Sequence, residues 1–221
     1  MKIFVISMNN EVGEKRRSLL NYDYEWIECV SGEEIMDRFR FRHNSSEQFK
    51  TATASCFNSH LTILKKIVDE KLDDVIICED DSLKVFDVDT KNIDEICLLG
   101  GRLAHPTSWK LDRDWRKTKE SEIIENFKEG VNKIDYEKFR WIHTYAIYYP
   151  KWEKTKVYLE KILDSKNKYR PLDNYLASEQ LINHLYYPTP FMMNDNNISQ
   201  IRKSKKGLGM LKDYKIYKYE K

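Results

Sequence analysis

The tetrad Val75-Ile76-Ile77-Cys78 constrains this chain more than any other segment. It is uniformly apolar, yet Asp73-Asp74 precede it and Glu79-Asp80-Asp81 follow it. A short apolar run without alternation is buried on both faces, as in a central strand covered by helices. Upstream, Phe57, Leu61, Leu64 and Val68 recur at spacings of four, three and four, and Ile63 and Ile67 widen the stripe. That period predicts an amphipathic helix, with Thr51, Thr53 and Ser55 as N-cap candidates. A helix returning the chain to such a strand makes a βαβ unit with a parallel neighbour.

The flanking segments extend this pattern. Lys2–Ser7 reads as a first strand, Glu14–Tyr22 as a helix and Tyr24–Ser31 as a strand. Ile93–Leu99 and Phe139–Tyr149 read as further strands. Residues 102–137 are polar with scattered aromatics and read as one long loop of the kind that often binds ligands. A helix is expected from Pro150 to about Leu163 and another from Arg170 to about Leu185. Two prolines keep Tyr186–Met193 extended. The expected fold is therefore α/β, one domain with a mostly parallel central sheet flanked by helices.

Composition excludes several alternatives. With 41% apolar and 13% aromatic residues the chain is not disordered. Its longest apolar run is Tyr145–Tyr149, too short to cross a bilayer. No CxxC pair joins Cys29, Cys56, Cys78 and Cys97, and the N-terminus has no long apolar stretch. Four reduced, core-packed thiols in a cytoplasmic protein are the expectation. The net charge is +2, but the last twenty residues hold eight basic and two acidic side chains, which leaves residues 1–201 at −4. The chain thus divides into a domain of residues 1–201 and a basic tail of residues 202–221. The tail is either a frayed terminus or a peripheral contact for anionic membrane. An acidic body without a basic-aromatic stripe argues against nucleic acid as a partner.

The three acids at the strand end carry the chemistry. Ligands of open α/β sheets bind beyond the carboxyl ends of the strands. Adjacent carboxylates repel unless a cation offsets them. Oxygen ligands suit Mg²⁺ or Mn²⁺, which in turn hold phosphates. A solvated acidic turn is the bland alternative.

The segment Ala54–Asp81, ASCFNSHLTILKKIVDEKLDDVIICEDD, resembles the signature of glycosyltransferase family 25 through Cys56, Ser59, His60, Glu79, Asp80 and Asp81. Ile6-Ser7 with Arg16-Arg17 resembles that family's first strand and double arginine. His143–Leu159 resembles its Gly-Thr-x-x-Tyr strand and helix, with His143 in place of glycine. Arg170–Leu176 resembles its Pro-Val-Asp element, and the segment from Tyr186 to Arg202 its closing Tyr-x-x-Pro stretch. The likeness spans about residues 2–202. It implies a GT-A-like fold, a nucleotide-sugar donor (commonly a UDP-hexose), a glycan or glycoconjugate acceptor, a divalent metal (Mn²⁺ or Mg²⁺) and inversion at the anomeric carbon.

Under that resemblance Glu79 and Asp81 form the DxD-like metal site. Asp80 orients the ribose or supports the ligands, and Ser7, Arg16 and Arg17 meet the donor. Asp173 is the candidate base for the acceptor hydroxyl, with Glu179 and Asp195 behind it; a helix cap is its equal alternative. His60 is expected to be a hydrogen-bonded structural residue. Cys56 and His60, at i and i+4, could bind a metal but lack an evident third ligand, and His184 or Asn194 could complete the metal shell. Trp109 and Trp115 could line an acceptor groove or simply pack. A non-catalytic relative, a nucleic-acid module and a nucleotidyltransferase are the competing readings.

Overall fold

The structure, a computed structural model, describes residues 1–104, 125–137 and 139–193. In chain order it contains β1 (Lys2–Ser7), α1 (Glu11–Arg17), β2 (Glu25–Glu28), α2 (Glu47–Asp69), β3 (Val75–Glu79), β4 (Ser82–Lys84) and β5 (Cys97–Ala104). These are followed by β6 (Gly130–Lys133), β7 (Arg140–Tyr149), α3 (Trp152–Leu163), α4 (Leu172–Ser178), β8 (His184–Tyr187) and β9 (Phe191–Met193). Seven strands form one sheet in the order β2-β1-β3-β7-β5-β8-β6, and β4 pairs with β9 in a separate ribbon.

The sheet is mixed, which corrects the mostly parallel expectation. β1 runs parallel to β2 and β3, and β5 parallel to β8. β7 enters between β3 and β5 antiparallel to both, and β6 is antiparallel to β8. The cause of the misreading lies in β7 itself. Its buried run Tyr145–Tyr149 has the unbroken apolar character of a parallel strand, because both sheet faces are covered at this depth. Strand direction leaves no mark on that pattern.

Alternate residues of the central strands feed two cores. Phe4, Ile6, Val75, Ile77, Ile147 and Tyr149 face one side with the apolar stripe of α2 and residues of α3 and α4. Ile3, Val5, Ile76, Cys78, Ala146 and Tyr148 face the other, with Leu99 and Phe191. On the α2 side Phe57 is fully buried, stacked on Tyr169 at 4.4 Å and edge-on to Tyr175 at 5.4 Å.

Three helix boundaries differ from expectation, each for a local reason. α2 starts at Glu47 because Ser46 Oγ accepts from Phe49 N (3.2 Å); its first turns lie outside the apolar stripe and so escape the periodicity. α1 occupies Glu11–Arg17 because Asn10 caps it through Gly13 N (2.9 Å). α4 stops at Ser178 rather than near Leu185. Gln180 turns left-handed at φ 50°, while Leu181 N donates to the Leu176 carbonyl (3.0 Å). Glycine usually fills that C-terminal position, so the stop has no sequence signal here. Leu185 instead lies in β8, paired with Leu98. The stretch read as one loop also changes, since β5 extends into it and β6 lies within it.

The long α2 also fixes the loop after β2. Ser59 Oγ accepts from Val30 N (2.8 Å), Ser55 Oγ from Gly32 N (3.1 Å), and Asn58 Nδ2 donates to the Ser31 carbonyl (2.6 Å). The approach is close enough that a Cβ on Gly32 would lie 2.3 Å from the Ala54 carbonyl carbon and 2.4 Å from Ser55 N. Both obstacles are helix backbone. Gly32→Ala should therefore destabilise the protein by about 1–3 kcal/mol, read as a lower urea midpoint with an unchanged m-value. An unchanged midpoint would contradict this packing. Among the described residues no helix is long and apolar enough to cross a membrane.

Candidate active site

The acidic residues emerge where β3 ends. Glu79 is its last residue, and Asp80 and Asp81 form the turn into β4. Ser82 Oγ donates to the Tyr145 carbonyl of β7 (2.6 Å), and Tyr22 Oη donates to the Ser82 carbonyl (3.1 Å). The turn is thus held from both sides before its carboxylates are considered.

The three acids have different surroundings. Asp80 is buried and both its oxygens are engaged: Oδ2 accepts from Ser7 Oγ (2.8 Å) and Oδ1 from Arg16 Nη1 (2.8 Å). Ser7 Oγ also accepts from Arg17 Nη1 (2.8 Å), and Arg17 reaches the Met8 carbonyl (2.8 Å). Ser7, Arg16 and Asp80 were expected to face the donor. They bond to one another, and these bonds brace the turn against β1 and α1. Arg17 is half-buried and its guanidinium lies 3.9 Å over the Trp26 ring. Trp26 is the member of this group that sequence reading missed, because an aromatic in a short edge strand carries no special signal.

Asp81 has no such support. Its Oδ1 is buried without a hydrogen-bond partner. Burial first, and the neighbouring Asp80 second, push its carboxyl up to about 6, against the opposing pull of Arg16. Burial, Asp81, Asp80 and Asp173 together push Glu79 well above the usual carboxylate range. Like charges at this strand end are therefore only partly offset by protein cations. An orphaned carboxylate oxygen beside a second strained carboxylate fits a hard divalent cation, which takes oxygen ligands.

Asp173 comes from the other half of the chain. It lies within the first turn of α4, whose N-cap is Pro171, so Asp173 is not the cap residue. Its Oδ2 accepts from His143 N (3.3 Å) and its Oδ1 from Asn174 N (2.7 Å) and Asn174 Nδ2 (2.9 Å). Its charge acts on both Glu79 and Cys56, which places it on the acidic side of the sheet end. His143 adopts φ 63°, a left-handed conformation that suits glycine better. The residue standing where the family resemblance has glycine thus keeps the glycine conformation, and its N–H is aimed at Asp173.

The other candidates separate. Glu179 ends α4 and accepts from Asn167 Nδ2 (2.7 Å), turned towards the loop after α3. His184 sits in β8, three strands along the sheet from β3, which removes it from the metal shell. Trp109, Trp115, Asn194, Asp195 and the tail lie outside the described residues. All four cysteines are free; Cys78 and Cys97 are buried as expected, whereas Cys29 and Cys56 are half-buried. Cys56 Sγ is 3.8 Å from Glu79 Oε1. His60 is 1% exposed, and neither ring nitrogen has the hydrogen bond expected of it.

Comparison with known proteins agrees with this geometry over part of the chain. The sequence model described as glycosyltransferase family 25 (LPS biosynthesis protein) matches residues 1–97. The resemblances at His143–Leu159, Arg170–Leu176 and beyond lie outside that match. No curated protein sequence matches the chain. A crystal structure of a glycosyltransferase involved in the glycosylation of the major capsid of PBCV-1 aligns over 95% of this chain and 100% of its own, at 10% identity and a TM-score of 0.38. At that score the fold rests on the strand order given above. Over residues 1–97, from β1 through the acidic turn, the chain is similar to glycosyltransferase family 25.

Proposed function

We propose that the protein transfers a hexose from a nucleotide sugar, UDP-linked by the family resemblance, to a hydroxyl of a glycan or glycoconjugate acceptor, with inversion at the anomeric carbon. The observation that carries this reading is the acidic turn where β3 ends, with Glu79 and Asp81 gathered there and one Asp81 oxygen buried without a partner.

Glu79 and Asp81 are the residues that would hold the divalent cation. When bound, that cation would offset the charge gathering on the leaving diphosphate. Asp80 acts through Ser7 and Arg16 by keeping the turn in place. Arg17, stacked on Trp26, presents a cation next to this turn for the donor's phosphates. Asp173 accepts the proton of the acceptor hydroxyl as the new bond forms. Its three hydrogen bonds from His143 and Asn174 orient the carboxylate without neutralising it.

Two measurements test the reading. Thermal unfolding with a nucleotide panel should show a rise with UDP or a UDP-sugar that requires Mn²⁺. Absence of a rise with every nucleotide would favour a non-catalytic relative. Asp173→Asn keeps one of the two oxygens that accept from His143 and Asn174 and is no base. It should lower turnover by about 10²–10⁴-fold with little change in melting temperature. Wild-type turnover in that variant would remove Asp173 from the mechanism.

A further inference from the structure

The acidic turn does not absorb every unusual group at this end of the sheet. Cys56 and His60 lie one helical turn apart on α2, so their side chains share a face. Glu79 approaches that face from β3. The thiol sulfur, an imidazole nitrogen and a carboxylate oxygen of these three residues lie within 4.8 Å of one another. His60 is the informative member. It is 1% exposed, and both Nδ1 and Nε2 are buried without a partner. Native interiors seldom leave an imidazole so, because a buried polar atom without a hydrogen bond is destabilising.

We propose that Cys56, His60 and Glu79 form a binding site for a borderline divalent cation of the zinc class, distinct from the hard-cation position at Asp81. The donor set decides the class. Thiolate and imidazole favour Zn²⁺ and its neighbours, whereas Mg²⁺ and Mn²⁺ prefer oxygen. The dimensions agree. Zinc bonds of about 2.3 Å to sulfur and 2.0 Å to nitrogen or oxygen place tetrahedral ligand atoms about 3.5 Å apart. Cys56 Sγ and Glu79 Oε1 are already at 3.8 Å, and the full triad needs to contract by only about 1 Å to meet that geometry. Binding turns the Cys56 thiol into a thiolate, its proton leaving to solvent. Three protein ligands leave a fourth position open. Glu79 offers two oxygens, so Oε1 serves this site while Oε2 remains available beside Asp81. The cation would tie α2 to the end of β3 and fix Glu79 in place.

The test uses the full chain, stripped with a chelator and titrated with Co²⁺. The expected result is a near-ultraviolet thiolate-to-cobalt charge-transfer band that saturates at one ion per chain and that Zn²⁺ abolishes by displacement. Cys56→Ser should lose the band. His60→Gln should weaken binding by more than the ~10–100-fold that follows loss of a residue merely supporting a ligand. Asp81→Asn should keep both band and affinity. Each variant is first checked for a wild-type circular dichroism spectrum, and Cys56→Ser changes only one atom, so misfolding does not mask the outcome. Co²⁺ binding without the band, a band that survives in Cys56→Ser, or no binding at all would overturn the proposal. The site does not depend on sugar transfer. If the cobalt band appears but no nucleotide responds to Mn²⁺, this inference stands and the proposed activity falls; the reverse pair of results does the opposite.

Discussion

Asp81→Asn should abolish sugar transfer while making the cation-free protein more stable at neutral pH. The carboxyl of Asp81 is pushed up to about 6 in the folded chain, whereas an unfolded aspartate titrates near 3.9. Between those values the folded protein holds a proton that the unfolded chain has released. Stability therefore falls as pH rises through the window from about 4 to about 6, and by pH 7 the deficit is of order 3 kcal/mol. Asparagine carries no charge to desolvate and escapes this loss. The difference in unfolding free energy, variant minus wild type, should rise across that window when measured in chelator. Millimolar Mn²⁺ should restore the wild type and leave the variant unmoved. Loss of a charge positioned for the reaction should lower turnover by at least ~10²–10³-fold. A variant less stable than wild type at pH 7 in chelator, or one with wild-type turnover, would contradict the assignment of Asp81.

Asp80→Ala should behave in the opposite way. Arg16 and Asp80 are a pair with side chains only 9% exposed each, and Asp80 also holds Ser7. Removing one member of such a pair leaves the other's charge without its buried counterion, at a cost of about 3–5 kcal/mol. For a chain of this length that corresponds to a melting temperature lower by roughly 6–20 °C. Asp80→Asn keeps acceptor and donor atoms near Ser7 and should lose less. The double variant Arg16→Met, Asp80→Leu should recover part of the loss, because it removes both charges rather than stranding one. An Asp80→Ala protein within 1 °C of wild type would show that the pair does not hold the turn. Neighbouring acids in one turn thus oppose each other: Asp81 lowers stability at neutral pH and Asp80 raises it.

Much of the acidic site was legible because burial and charge coincide there. An apolar tetrad can end in three acids only where a sheet surfaces, and the stripe of α2 identified the helix behind it. Division of labour among the acids was not legible. It depends on Ser7 and Arg16, which are distant in sequence and reach Asp80 through the β1–β3 pairing. The family resemblance brought Asp173 into consideration, but its placement near Glu79 required the insertion of β7. Strand direction was invisible, since a doubly buried antiparallel strand has the same apolar run as a parallel one. The stop of α4 was invisible because Gln180 adopts a conformation usually advertised by glycine. The third partner of Cys56 and His60 was invisible because it arrives from another element.

The placement of β7 between β3 and β5 makes the two halves of the chain interdependent. Residues 1–97 hold the acidic turn and the family match, yet β7 covers the edge of β3, and α4 brings Asp173. A fragment cut at residue 97 would present the bare edge of a fully apolar strand, a template for self-association. The half that carries the family likeness is therefore sealed only by the other half. The two pieces, expressed separately, form a natural pair for fragment complementation, with recovery of folded protein reporting their docking through the β3–β7 edge, the β4–β9 ribbon and the core under α2.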